Sequence, residues 1–167
     1  MKTLLILIAL LPFAAHADVK HTDQHGFIVE NVMQTPQTPD VVWHALIDDV
    51  DLWWPKDHSW WMGTFSIDAN AGGCFCERKD NKSAEHMRIV FVDPNQTLRM
   101  SGGLGPLQGM GMNGALDWQL TETPTGTQVT LTYKVHGVNA EGFEKLAPIV
   151  AHVQGLQLNG LKDFLNK

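Results

Sequence analysis

The chain has 167 residues, with 18 Asp and Glu against 12 Lys and Arg, for a formal net charge of -6. That acidic balance leaves no basic stripe for a phosphate backbone and argues against a nucleic-acid partner. Two cysteines are too few for a disulfide framework, and a chain of this length buries enough surface to form one domain without staples.

Residues 1–17 read as a signal peptide. Lys2 supplies the positive start, Leu4 to Leu11 the apolar run, and Ala15-His16-Ala17 a small-x-small cleavage site before Asp18. The apolar run is well short of the ~20 residues that a membrane span needs. The mature chain is therefore expected to be exported, to the periplasm if the source is bacterial, with no membrane span left after cleavage. Residues 18–26 read as a flexible polar leader and 27–167 as a single domain.

Phe27 to Thr35 alternates as a first strand, with Phe27, Val29 and Met33 on one face and Ile28, Glu30 and Val32 on the other. Thr38-Pro39-Asp40 then opens a helix with a hydroxyl N-cap, proline at the first helical position and an acid at the positive end of the dipole. Val42, Trp43 and Leu46 form its apolar side. A second short helix or turn over Asp48 to Trp54 ends at Pro55. Trp53, Trp54, Trp60 and Trp61 place four of the six tryptophans within a nine-residue stretch. Such a cluster is either a satellite core beneath a loop or an aromatic wall for an apolar ligand.

Strands are predicted at Thr64 to Ile67, Gly73 to Arg78, Glu85 to Val92, Thr97 to Ser101, Met112 to Glu122 and Thr127 to Val138. They are joined by turn sequences such as Asp93-Pro94-Asn95 and Thr123-Pro124-Thr125-Gly126. Leu116, Trp118 and Leu120 share a face, as do Val129, Leu131, Tyr133 and Val135, while Asp117, Gln119, Thr130 and Thr132 point the other way. Gly102 to Gly111 lacks a strand-to-helix setting and a Lys-Ser/Thr pair, which marks a mobile loop at a pocket rim and not a phosphate cradle. From Leu146 to Leu165 apolar residues recur at three-and-four spacing, giving the one long helix. A single long helix among strands implies an α+β fold in which a curved antiparallel sheet covers the helix, with a cavity between the two.

The TPDVVWHAL helix, the WWP-x-x-HS segment, AGGCFCER, HMRIVFVDP, LGPLQ, TQVTLTYKV and LAPIVAHV stand in an order that resembles the START-like SRPBCC superfamily. Within it, the chain is most similar to the branch described as activator-of-chaperone-ATPase-like or polyketide-cyclase-like. The resemblance runs from about Phe27 to Leu165. It implies the helix-grip fold, a strongly bent sheet around the C-terminal helix with two small helices closing one end and a cavity inside. Export would set this chain apart from the better-known intracellular members of that branch.

Cys74-Phe75-Cys76-Glu77 is the sharpest local feature. In an extended strand Cys74 and Cys76 share one face while Phe75 and Glu77 share the other. A four-residue turn centred on Asn81 and Lys82 would set Glu77 opposite His86 and Cys76 opposite Met87. With the apolar faces turned inward, both thiols look into the cavity beside Met87, and Glu77, His86 and Arg88 form a polar cluster outside. Three readings of the thiols stay open. They are small buried hydrophobes; or a disulfide across i and i+2, whose extended spacing of ~6.6–6.8 Å is at the far edge of disulfide reach; or metal or redox ligands borrowing His58 or His86.

The cavity is expected to be lined by Trp54, His58, Trp60, Cys74, Cys76, Met87, Met100, Trp118, Tyr133, Val150, Val153 and Gln157. The corresponding function is a binding or carrier protein for a small apolar or aromatic molecule, with apolar burial supplying affinity and His58 and Gln157 orienting the ligand. No cofactor or metal is expected, since there is no nucleotide motif, no Ser-His-Asp set and no four-ligand metal pattern. The alternatives are a cyclase-like or hydratase-like enzyme using His58, Glu77 or His86 as acid or base, and an interaction module that exposes Trp53 to Trp61 over a filled interior. The enzyme reading gains if Glu77 and His86 face the cavity. A protein partner is left open.

Overall fold

The computed structural model describes residues 16–167. Most of the expected signal peptide, residues 1–15, lies outside them. The chain runs β1 (His16–Thr22), β2 (Gly26–Thr35), α1 (Pro39–Ile47), α2 (Val50–Trp53), a 3-10 turn (Lys56–His58), β3 (Thr64–Ile67), β4 (Cys74–Lys79) and β5 (Lys82–Asp93). It continues through β6 (Thr97–Ser101), α3 (Pro106–Gly109), β7 (Asn113–Thr123) and β8 (Gly126–His136) to α4 (Leu146–Leu165).

All strands join one antiparallel sheet in the order β1-β2-β8-β7-β6-β5-β4-β3. Since β2 and β3 lie towards opposite edges, α1, α2 and the tryptophan-rich loop carry the chain across the sheet. α4 packs on β2 and β1 and also meets α1 and α2. This is the helix-grip arrangement of an α+β fold.

The local signals act as expected in several places. The Thr38 hydroxyl accepts the Val41 N–H and Pro39 opens α1, which buries Val42, Trp43, Ala45 and Leu46. On β2 the inner residues Phe27, Val29, Asn31, Met33 and Thr35 are buried while Ile28, Glu30 and Val32 are only half-buried. Leu116, Trp118 and Leu120 of β7 and Val129, Leu131, Tyr133 and Val135 of β8 are likewise buried on the inner face. α4 comes so close to α2 at Gly160 that an added Cβ would lie 2.5 Å from the Trp53 carbonyl oxygen.

The leader departs from expectation. Residues 18–22 are not loose but belong to β1, which pairs with β2 from His16↔Val32 to Thr22↔Phe27. An edge strand is held largely by main-chain hydrogen bonds to its neighbour, and these leave no apolar alternation in the sequence to read.

The second departure is in the β4–β5 hairpin. The loop is two residues, Asp80 and Asn81, between the pair Lys79↔Lys82, so Glu77 stands opposite Ala84 and Cys76 opposite Glu85. The register then shifts, and Phe75 pairs with Met87, which leaves His86 as the extra residue of a bulge. A bulge breaks strict alternation, so His86 and Met87 both turn inward, at 4 % and 1 % exposure. Phe75 and Glu77 also face inward, and the cysteines face outward beside Glu85 and Arg88. Burying the Phe75 ring removes more apolar surface from water than burying two thiols, and that decides the face. Cys74 and Cys76 form a disulfide, with their Cα atoms 5.4 Å apart.

Candidate functional site

The interior divides into a filled half and a hollow half. In the filled half the Trp54 and Phe75 rings meet at 4.8 Å between centroids, Phe65 and Phe75 at 5.6 Å, and Trp53 and Trp118 at 6.0 Å. The indole N–H of Trp53 donates to the Ala45 carbonyl at 2.8 Å and that of Trp54 to the His58 carbonyl at 3.2 Å. Both rings are thereby fixed with their faces given to packing.

The hollow half is a cavity of ≈ 450 Å³ between the N-terminal part of α4, the 3-10 turn and the Gly102–Gly111 loop. From α4 it receives Leu146, Ile149, Val150, Val153, Gln154 and Gln157, one face of the helix at three-and-four spacing. Trp54, Asp57, His58, Ser59 and Trp60 come from the tryptophan-rich segment, and Leu104, Gly105, Pro106, Leu107 and Met110 from the glycine-rich loop. His86 and Tyr133 complete the wall from the sheet.

Of the twelve residues expected from the sequence, Trp54, His58, Trp60, Tyr133, Val150, Val153 and Gln157 line this cavity. Cys74 and Cys76 do not, because the Phe75-inward register puts them on the outer face of the sheet. Met87, Met100 and Trp118 point inward but lie in the filled half, each no more than 2 % exposed. The sequence pattern did not single out Gln154 and put His86 on the outer face; both line the cavity. Gln154 sits one turn before Leu158 on the same helical face and could have been found from the 3.6 period; His86 could not, since its inward turn comes from the bulge. The tryptophan cluster is divided between two roles: Trp53 and Trp54 are core, and Trp60 stands half-exposed at the cavity mouth. An exposed aromatic patch over a filled interior, as an interaction module would show, is not what forms.

Glu77 organises the loop above the cavity. It is fully buried, and its carboxylate accepts the backbone N–H groups of Trp60 (2.9 Å), Trp61 (3.0 Å) and Gly63 (2.9 Å), with His86 Nε2 at 3.2 Å. Burial pushes this carboxyl up, but the four hydrogen bonds together outweigh it and hold it below the ordinary carboxylate value. Burial also pushes His86 down, more strongly than Glu77 raises it, so the imidazole is neutral at neutral pH. The His86 ring packs against both Phe65 and Phe75, at 5.5 and 5.3 Å between centroids.

On the opposite side, the Tyr133 hydroxyl donates to the Gly102 carbonyl and accepts the Leu104 N–H, both at 2.9 Å, which pins the glycine-rich loop to the cavity wall. Burial raises its phenol to about 12. Three polar atoms near the cavity have no hydrogen-bond partner among the described residues: His58 Nδ1, Gln154 Oε1 and Gln157 Oε1. Among these residues no three His, Cys, Asp or Glu side chains are grouped to hold a metal, and no helix is long and apolar enough to cross a membrane.

This arrangement of sheet, short helices and gripped helix can be set against known proteins. Residues 36–166 match the family described as Activator of Hsp90 ATPase homolog 1-like protein. The chain belongs to this family. No curated protein matches it. Solved structures similar to this Activator of Hsp90 ATPase homolog 1-like chain include protein MLL2253 from Mesorhizobium loti, 20% identical, with TM-score 0.61 over 83% of this chain and 96% of that one. Protein Ms6760 from Mycobacterium smegmatis is 16% identical, with TM-score 0.62 over 90% and 96% of the two chains. CalU16 from Micromonospora echinospora is also 16% identical, with TM-score 0.59 over 90% and 84%. At such identities the likeness carries the fold, which the family members share, and leaves the cavity's chemistry to the side chains of this chain.

Proposed function

We propose that this protein binds a small apolar or aromatic molecule in the cavity between α4 and the sheet, and that it does so after export. The observation that carries the reading is the cavity itself: ≈ 450 Å³, within the ~300–1,000 Å³ of small-molecule sites, and walled mainly by apolar side chains with a few polar groups. Burial of ligand surface against Trp54, Val150 and Val153 supplies affinity, and the amides of Gln154 and Gln157 with the His58 ring set orientation.

Tryptophan emission, to which Trp54 in the cavity wall and the 47%-exposed Trp60 at its mouth both contribute, reports occupancy. Titration with a panel of aromatic compounds, quinones and fatty acids is expected to quench or shift that emission for at least one class. If no compound changes the emission at millimolar concentration, and native mass spectrometry of protein from its own host finds no co-purifying molecule, the binding reading fails.

Export rests on the Lys2, Leu4–Leu11 and Ala15-His16-Ala17 pattern. Cleavage after Ala17 would leave the pairs from Asp18↔Glu30 to Thr22↔Phe27 to hold β1. Intact mass of protein recovered from a bacterial periplasm should begin at Asp18; a product that keeps Met1 would refute the export reading.

A further inference from the structure

Two features of the cavity remain once packing and loop anchoring are accounted for. The first is the second ring nitrogen of His86. The Nε2 nitrogen is engaged by Glu77 at 3.2 Å, which fixes the tautomer with the proton on Nε2. The Nδ1 nitrogen has no hydrogen bond among the described residues, yet it is not among the atoms sealed from solvent, on a ring that lines the cavity. The second is the pair Gln154 and Gln157, 2% and 3% exposed and without a hydrogen-bond partner for either Oε1. A buried carbonyl oxygen left unpaired costs roughly 1–3 kcal/mol, so two of them on one helical face of a cavity point to a ligand group that donates hydrogen bonds to them. A bulge that re-aims one side chain beside a site is a further mark of use, since it costs ladder pairing.

We propose that the cavity is also a reaction site, in which His86 is the general base and the Gln154 and Gln157 amide oxygens orient the substrate by accepting hydrogen bonds from a donor group on it. The proposal rests on the binding reading, because the substrate is the apolar or aromatic molecule held there. Its class is a carbon acid whose charge settles on oxygen. Nδ1 takes the proton from carbon, and the electron pair of the broken C–H bond moves into a new π bond. The displaced charge comes to rest on an oxygen of the substrate. The resulting imidazolium is held by the Glu77 carboxylate, as an orienting acid holds a catalytic histidine, and it returns the proton to product or water. The titratable groups facing this centre are Glu77 from β4, Asp57 and His58 from the 3-10 turn, and Tyr133 from β8, whose phenol stays neutral below about 12.

Nitrobenzisoxazole is a flat aromatic probe for such a base. Loss of its carbon-bound proton forms a nitrile as the ring N–O bond breaks, and a coloured phenolate oxygen leaves with the charge. The wild-type chain is expected to accelerate this opening, and His86→Phe to slow it by about 100-fold or more, with probe quenching of tryptophan emission retained. The rate should rise with pH through an inflection below the usual histidine value. Glu77→Gln should move that inflection lower still, whereas a Glu77–His86 hydrogen bond that only anchors the loop would leave no histidine inflection to move.

Nitrogen NMR of His86 gives a readout that needs no turnover. A proton on Nε2 with Nδ1 bare supports the assignment; the opposite tautomer overturns it. A probe that binds but opens equally fast with wild type and His86→Phe overturns the catalytic proposal and leaves binding intact. Failure of the probe to bind or react, alongside a ligand panel that also fails, overturns both.

Discussion

Glu77 shows how one buried carboxylate sets the acid limit of the fold. Its pKa is depressed in the native state, so between the ordinary carboxyl value of ~4.3 and that lower value the unfolded chain binds more protons. Its contribution is complete above the ordinary value and lost as pH falls through the native one. His86 acts in the same sense at higher pH, because its native pKa is also lowered and the unfolded chain protonates first below ~6.5. Urea midpoints are therefore expected to fall in two stages on acidification, and His86→Phe should remove the upper stage. Glu77→Gln should cost roughly 1.5–3 kcal/mol at neutral pH, since it weakens charge-assisted hydrogen bonds. Tyr133 offers a second test, being the one tyrosine in the chain. The ultraviolet titration should show no tyrosinate near the ordinary value of ~10 and a rise only towards about 12 or at alkaline unfolding. Tyr133 and its inner face are legible from the alternation of β8; Glu77 as an interior anchor is not, because a charged residue in an alternating strand is assigned outward by default.

Among the elements, β4 and α4 make opposite demands on the sequence. The Cys74–Cys76 disulfide spans a sequence separation of 2, so it restricts the unfolded chain little. Loop-closure entropy for so short a ring gives about 1–2 kcal/mol. Cys74→Ser with Cys76→Ser is accordingly expected to lower the melting temperature by only a few degrees, and to leave quenching of tryptophan emission by a bound ligand unchanged. α4 is less tolerant at one point. Gly160→Ala would raise helix propensity, yet the new methyl would meet the Trp53 carbonyl at 2.5 Å. Overpacking of this kind costs about 1–3 kcal/mol, more than the ~1 kcal/mol that propensity returns, so a net loss of stability is expected in chemical denaturation. The heptad-like spacing of α4 announces its buried face, whereas the contact at Gly160 depends on α2, far away in sequence.

For the whole molecule, the cavity exists because α4 rests on β1, β2 and the short helices and does not pack along the β4–β6 side of the sheet. Trp53, Trp54, Phe65, Phe75 and Trp118 close part of that gap, and the remainder stays open beneath Trp60 and the glycine-rich loop. Val153→Trp places an indole in this space without disturbing the filled half. It is expected to abolish the rise in melting temperature that a ligand gives, while the melting temperature of the ligand-free chain stays within a few degrees. In the unsubstituted chain, a ligand at 100 times its Kd should stabilise by about 2.7 kcal/mol, readable as a rise in melting temperature of roughly 5–10 °C.

Local periodicity alone determined the strands from β2 to β8, the N-cap of α1, the inner faces of β2, β7 and β8, and the gripped face of α4. Those features follow from which residues stand two or three to four positions apart, and no distant contact alters them. The face of β4, the pairing of Glu77 with His86 and the disulfide were decided only in the folded chain. A two-residue loop and one bulge shift the register of β4 against β5, and with a period of two a single-residue shift exchanges inside for outside. The size of the cavity likewise came from tertiary structure, because it is set by how far a helix stands from a sheet, a distance fixed by packing between segments a hundred residues apart in the chain.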